Sequence, residues 1–171
     1  MSTKMLMMCG AQEAAPGQVV FESTAGGFNS YSWTVPDGVT QVCVVAVSPG
    51  GNGGVWSGST ATGGKGGDLG WANEIPVTPG TNIFFQFSSS GAQIYSRVSL
   101  PNGAGDLHVY TGQSSVKTGA FSSATLNSGG SSAFYSSGGG GGGAGGYTGA
   151  GGNGQGSSSG TAGAGGAGGG G

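Results

Sequence analysis

The sequence predicts an all-β fold: a jelly-roll-like β-sandwich whose glycine-rich loops and C-terminal tail form packed polyglycine II helices. Three observations predict it. Between Val19 and Tyr135, short apolar runs alternate with turn signals about every ten residues, the spacing of a sandwich rather than of βαβ units. Of 171 residues, 44 are glycine and only 6% are charged, which leaves few of the residues that build helices. The glycines of the last third keep a three-residue phase.

The expected organisation is an apolar docking arm at 1–17, a β-sandwich at 18–135 with glycine loops at 49–70, and a polyglycine II segment at 136–171. In the arm, Met5, Leu6, Met7 and Met8 form an adaptable apolar cluster. Exposed on a free monomer it would be a liability, so it is the candidate for docking on another subunit.

Val19, Val20 and Phe21 read as the first strand. Ser30 to Val35 alternates and sets Tyr31, Trp33 and Val35 on one face. Pro36-Asp37-Gly38 turns the chain, with Pro36 expected at the second turn position. Val39 to Val47 is β-branched on both faces, as in the middle of a sandwich. Trp71 to Val77, Thr81 to Ser88, Ala92 to Leu100 and Asp106 to Tyr110 follow, separated by Thr78-Pro79-Gly80 and Pro101-Asn102-Gly103. Ile83, Phe85 and Phe87 alternate, and Leu107 and Val109 point inward. From Thr111 to Tyr135 only Val116, Phe121, Leu126 and Phe134 stand out as isolated anchors.

In the tail, Ala144, Tyr147, Ala150 and Asn153 fall every third residue among glycines, and Thr161, Ala164 and Ala167 repeat the spacing. Thr148 and Ala162 break the rule. A period of three belongs to the polyproline II helix, which rises about 3.1 Å per residue. Glycine on two of its three edges lets such helices approach and exchange N–H···O=C bonds. Collagen, by contrast, needs abundant proline, and this chain has none after Pro101. The same phase recurs in Gly50-Gly51-Asn52-Gly53-Gly54-Val55 and Gly63-Gly64-Lys65-Gly66-Gly67-Asp68. The loops and the tail are therefore expected to assemble into one block of extended helices beside the sandwich.

Several function classes are disfavoured. A net charge of −2 makes no electrostatic case for nucleic acid. Two cysteines make no disulfide framework; Cys43 reads as a small buried hydrophobe. Cys9 follows too short an apolar run for a lipoprotein signal, and no stretch is apolar enough to embed in a membrane. His108 lies opposite Leu107 and Val109 and reads as a surface strand residue. The carboxylates Glu13, Glu22, Asp37, Asp68, Glu74 and Asp106 share no acid–base spacing. Gly63 to Gly67 lacks the phosphate-loop pattern and the helix that follows it. No catalytic residue, metal ligand or cofactor is expected. Loop aromatics are the better binding groups, and Trp56, Lys65 and Tyr147 are the candidate receptor contacts.

One succession has a known likeness: Tyr31 to Thr40, Val42 to Val47, the Gly50 and Gly63 loops, Ile75 to Gly80, and then Gly142 to Gly154. It resembles a glycine-rich domain of tailed-bacteriophage virion proteins. The resemblance implies a β-sandwich with glycine loops on phage tails, fibres or heads. A departure is Ser48-Pro49, where the family has glycines. The implied function is a non-enzymatic virion structural protein on the particle exterior, as head decoration or tail appendage. It would be anchored by its N-terminal arm, form homo-oligomers among other virion proteins, and be assembled in the host cytoplasm. Alternatives are an adhesin tip for a host surface glycan or protein, and an ice-binding polyglycine protein.

Overall fold

The computed structural model describes residues 3–8, 17–23, 27–56, 60–89, 94–135 and 139–156, with backbone alone for 3–8, 55–56, 60–61 and 134–135. The described secondary structure is nearly all strand. The chain divides into two compact units: Met1–Ser48 with Gly70–Val109 and Ser114–Leu126, and Pro49–Leu69 with Tyr110–Gln113 and Asn127–Gly171.

The first unit holds two five-stranded sheets. One comprises β1 (Thr3–Met8), β2 (Gln18–Ser23), β4 (Gln41–Val47), β7 (Leu69–Pro76) and β12 (Thr125–Asn127), ordered β12-β7-β4-β1-β2. The other comprises β3 (Phe28–Thr34), β8 (Asn82–Ser88), β9 (Tyr95–Ser99), β10 (Gly105–Tyr110) and β11 (Val116–Gly119), ordered β11-β10-β9-β8-β3. In the second unit, β5 (Gly54–Trp56), β6 (Thr60–Thr62) and β13 (Phe134–Tyr135) make a small sheet, ordered β13-β6-β5.

Alternation produces the core. Val42, Val44 and Ala46 of β4, Ile83, Phe85 and Phe87 of β8, Val98 of β9, and Leu107 and Val109 of β10 are all buried, and they form one apolar cluster. Phe21 stacks on Phe85 with ring centroids 4.3 Å apart, and Tyr31 lies edge-on to Phe87 at 5.9 Å. Ser96 is buried among these side chains. Its hydroxyl donates to the Val47 carbonyl at 2.6 Å, which satisfies the one polar group on that inward row. In β7, Ala72 and Ile75 are both buried although two residues separate them. Glu74, at φ 56, takes up the extra residue as a bulge does and restores the inward phase.

Turn chemistry closes the hairpins. Thr81 N–H donates to the Thr78 carbonyl at 3.2 Å, with Pro79 second and Gly80 third at φ 77. The earlier turn differs from the sequence expectation. Val39 N–H bonds the Pro36 carbonyl at 3.2 Å, so Pro36 is first and Asp37 second, and Gly38 takes the positive φ of 81.

Two further readings change. Cys43 is half-buried rather than in the core, because Val42 and Val44 take the inward positions on either side of it. The methionine-rich stretch is paired on both edges: Met5 opposes Phe21 and Ala46, and Met8 opposes Gln18 and Cys43. Acting as a peg would require this segment to leave a sheet that holds it from both sides. Cys9 and residues 157–171, including Thr161, Ala164 and Ala167, lie outside the described residues.

Candidate functional site

Five glycine-rich segments of the second unit run side by side: 50–54, 62–68, 127–133, 139–146 and 149–156. Their hydrogen bonds repeat every three residues. Gly63 and Gly66 donate to Ala133 and Gly130; Gly142 and Gly145 donate to Gly64 and Gly67; Gly130 and Ala133 donate to Gly143 and Gly140. The last segment joins by the same rule, through Gly151 and Gly154 to Ser128 and Ser131, and through Gly140 and Gly143 to Gln155 and Gly152. A β-ladder would repeat every two residues; a threefold helix repeats every three. Successive residues of 139–146 address three different neighbours, so the segments form a bundle rather than a sheet. Segment 50–54 attaches through Gly51 N–H to the Lys65 carbonyl at 2.9 Å.

Only glycine permits these approaches. A Cβ on Gly63 would overlap the backbone of Gly140 and Gly141, one on Gly66 the carbonyl of Gly143, and one on Gly142 the carbonyl of Gly130. The third positions face away: Lys65, Ala144, Tyr147, Ala150 and Asn153 are all exposed. Polar side chains also stitch the bundle. Buried Asp68 accepts from Gly129 N–H at 2.8 Å, and Asn153 Oδ1 accepts from Ser131 N–H at 2.8 Å. Thr148, which breaks the sequence phase, sits in the turn bracketed by Gly146 and Gly149, whose amides bond each other's carbonyls at 3.0 and 3.4 Å. The break in phase therefore marks where one helix ends and an antiparallel one begins.

The receptor-contact candidates are not brought together. Tyr147, 44% exposed, tops that turn, and Asn127 Nδ2 fixes it by donating to the Gly146 carbonyl at 2.6 Å. Lys65 is exposed midway along its segment, with its stem beside Gly112. Trp56 lies on β5 opposite Thr60, at the other end of the 60–68 run. With 139–146 parallel to 62–68, the helix rise puts the backbones of Trp56 and Tyr147 roughly 25 Å apart.

Sequence reasoning did not assemble a second feature, on the outward face of β8 to β10 in the first unit. Arg97 Nε donates to both Asp106 carboxylate oxygens, at 3.0 and 2.9 Å, and Nη1 donates to Gln86 Oε1 at 3.3 Å. His108 packs edge-on against Tyr95, with ring centroids 4.4 Å apart. It faces away from Leu107 and Val109 as expected but is half-buried. Desolvation lowers its pKa to about 4; Arg97 adds to the lowering, and Asp106 works against it. A neutral imidazole pinned by a tyrosine ring and flanked by an ion pair is a packing arrangement. Alternation puts Tyr95 and Arg97 on one face from the sequence alone, but cross-strand register brings Asp106 and His108 to them.

Among the described residues, no group of three or more His, Cys, Asp or Glu side chains converges to hold a metal, and no helix is long and apolar enough to cross a membrane. A notch of about 80 Å³ between Val77, Ile83 and Leu100 is far below the several hundred Å³ of a small-molecule site. No family model matches the chain, and neither a curated protein nor a solved structure matches it.

Proposed function

We propose that this protein is a structural display module on the exterior of a bacteriophage particle, as head decoration or tail appendage, working without catalysis. The observation that carries the reading is the three-residue hydrogen-bond lattice, which turns glycine-rich sequence into a fixed scaffold with every third side chain outward. A rigid support with small or protruding side chains suits presentation of a surface in many copies. The order of strands, turns and glycine loops, similar to a virion glycine-rich domain, points the same way. Attachment through Met5 to Met8 would have to use their side chains, since that backbone is engaged in its own sheet. Quantitative mass spectrometry of purified particles tests it. Hundreds of copies per particle would place the chain on the head and a few to a few dozen on the tail, whereas its absence from particles would end the proposal.

A second reading, an adhesin contacting a host surface glycan or protein, is favoured by one observation: Tyr147 is exposed at the tip of a turn that is hydrogen-bonded on both sides. Tyr147→Ala should then reduce adsorption to host cells without changing incorporation into particles. Unchanged adsorption would eliminate Tyr147 as the contact.

A further inference from the structure

We infer that β3 is a pairing edge for a second copy of this chain, joined antiparallel about a twofold axis at Tyr31. The inference rests on main-chain geometry in the first unit and is independent of the virion reading.

The two large sheets have four terminal strands, and three are blunted. β12 has three residues; β11 has four, with Lys117 among them and Gly119 at φ 56 ending it. β2 carries Glu22, and the Tyr31 hydroxyl donates to the Glu22 carbonyl at 3.2 Å. Short length, charge, irregular ends and side-chain cover are the devices that keep sheet edges from pairing. Among the described residues β3 is neither short, charged nor covered, and its one irregular end is Gly27, at φ 118, ahead of the strand. It is seven residues long, in register with β8 throughout, and its sequence FNSYSWT contains no charge, proline or glycine.

The register also says which groups are offered. Phe28 opposes Ser88 and Thr34 opposes Asn82, while Ser89 N–H bonds the Gly27 carbonyl and Val35 N–H bonds the Thr81 carbonyl. Odd-numbered residues from Gly27 to Val35 therefore direct their main chain at β8. The even-numbered Phe28, Ser30, Ser32 and Thr34 direct N–H and C=O away from it. All four also have exposed side chains, with Phe28 at 59%.

This pattern is self-complementary. An antiparallel twofold through Tyr31 pairs Phe28 with Thr34 and Ser30 with Ser32 of the second copy, so each outward-facing residue meets another. Each such pair exchanges both N–H···O bonds. Phe28 gains Thr34 directly opposite and Ser32 on the diagonal. Because the strand is uncharged, a copy meeting itself suffers no like-charge repulsion. The product is one continuous sheet, with an isologous interface of the kind closed dimers use.

The experiment compares the whole chain with Ser32→Pro and Ser32→Lys by sedimentation equilibrium, with hydrogen exchange read at Phe28, Ser30, Ser32 and Thr34. The N–H of Ser32 points off the sheet, so proline there leaves the β8 pairing intact. Lysine serves as a second test that keeps the amide. Wild-type dimer is expected, with the four edge amides protected. Ser32→Pro should weaken dimerisation at least about 30-fold, since two symmetry-related bonds are lost, and Ser32→Lys about 2- to 5-fold, since it sets two like charges beside the axis, while unfolding midpoints stay near wild type. A monomeric wild type, or a dimer indifferent to both variants, would overturn the inference. So would a monomer whose edge amides gain protection only when a foreign extended peptide is added, which would give the edge to a heterologous strand.

Discussion

Gly130 is buried where its segment meets three others, and replacing it with alanine tests whether the lattice holds its unit together. Its N–H donates to the Gly143 carbonyl at 2.7 Å and its carbonyl accepts from Gly66 at 3.0 Å. An alanine Cβ would overlap the Gly152 carbonyl and lie 3.0 Å from that of Gly151. Overpacking against backbone costs about 1–3 kcal/mol, and each hydrogen bond pulled out of line costs about 1 kcal/mol. The stiffer unfolded chain returns about 0.4–1 kcal/mol. The net is about 3 kcal/mol, which for local opening means exchange roughly a hundredfold faster. Hydrogen–deuterium exchange with mass spectrometry on peptides spanning 127–133, 139–146 and 149–156 reads this directly. Gly54→Ala is the control, because its Cβ would meet only Thr62 Oγ1 at 3.7 Å, and a change below about 0.5 kcal/mol is expected. Equal protection in both variants would refute the claim that close glycine contact maintains the lattice.

Other outcomes follow from the first unit and from Asp68. Phe85→Ala removes a fully buried ring stacked on Phe21 and should cost about 3–5 kcal/mol in chemical denaturation. The lowered pKa of His108 keeps it neutral in the fold, so its contribution to stability is complete above pH 6.5 and is lost as pH falls towards about 4. His108→Gln should flatten the stability profile across that window. Asp106→Asn removes the carboxylate whose charge raises that pKa, so an NMR titration should find His108 lower still. Asp68→Ala leaves Gly129 N–H without this acceptor and should destabilise the second unit by about 1–3 kcal/mol, visible as faster exchange in 127–133. Deleting residues 1–8 takes away a strand held between β2 and β4, and aggregation or loss of near-UV dichroism is expected rather than a folded chain lacking an anchor.

Strands were legible wherever one face is buried, because burial writes a two-residue period into the chain. Ile83, Phe85 and Phe87 show it, as do Leu107 and Val109. Met5 to Met8 carry no such period, and β4, which pairs with one edge of their strand, is distant in sequence, so the stretch reads as an arm. The glycine phase was legible in 50–54, 63–68 and 142–154. Segment 127–133 was missed because Ser128-Gly129-Gly130-Ser131 shows barely more than one repeat of the rule, although Ser128 and Ser131 are both exposed at the expected spacing. The Arg97–Asp106 pair and the Tyr95–His108 contact depend on which residues two strands set side by side, and no single strand encodes that.

The threefold lattice also constrains how such a chain can change in length. Inserting one residue into a glycine segment turns everything beyond it by a third of a revolution and misdirects its bonds to every neighbour at once. Inserting three restores all of them, one turn further along. Viable relatives should therefore differ within these segments by whole triplets, with other lengths confined to turns such as Tyr147–Thr148, where register is free to be reset. Glycine count alone would not reveal this. The constraint acts like a reading frame, imposed by hydrogen bonding on the folded protein.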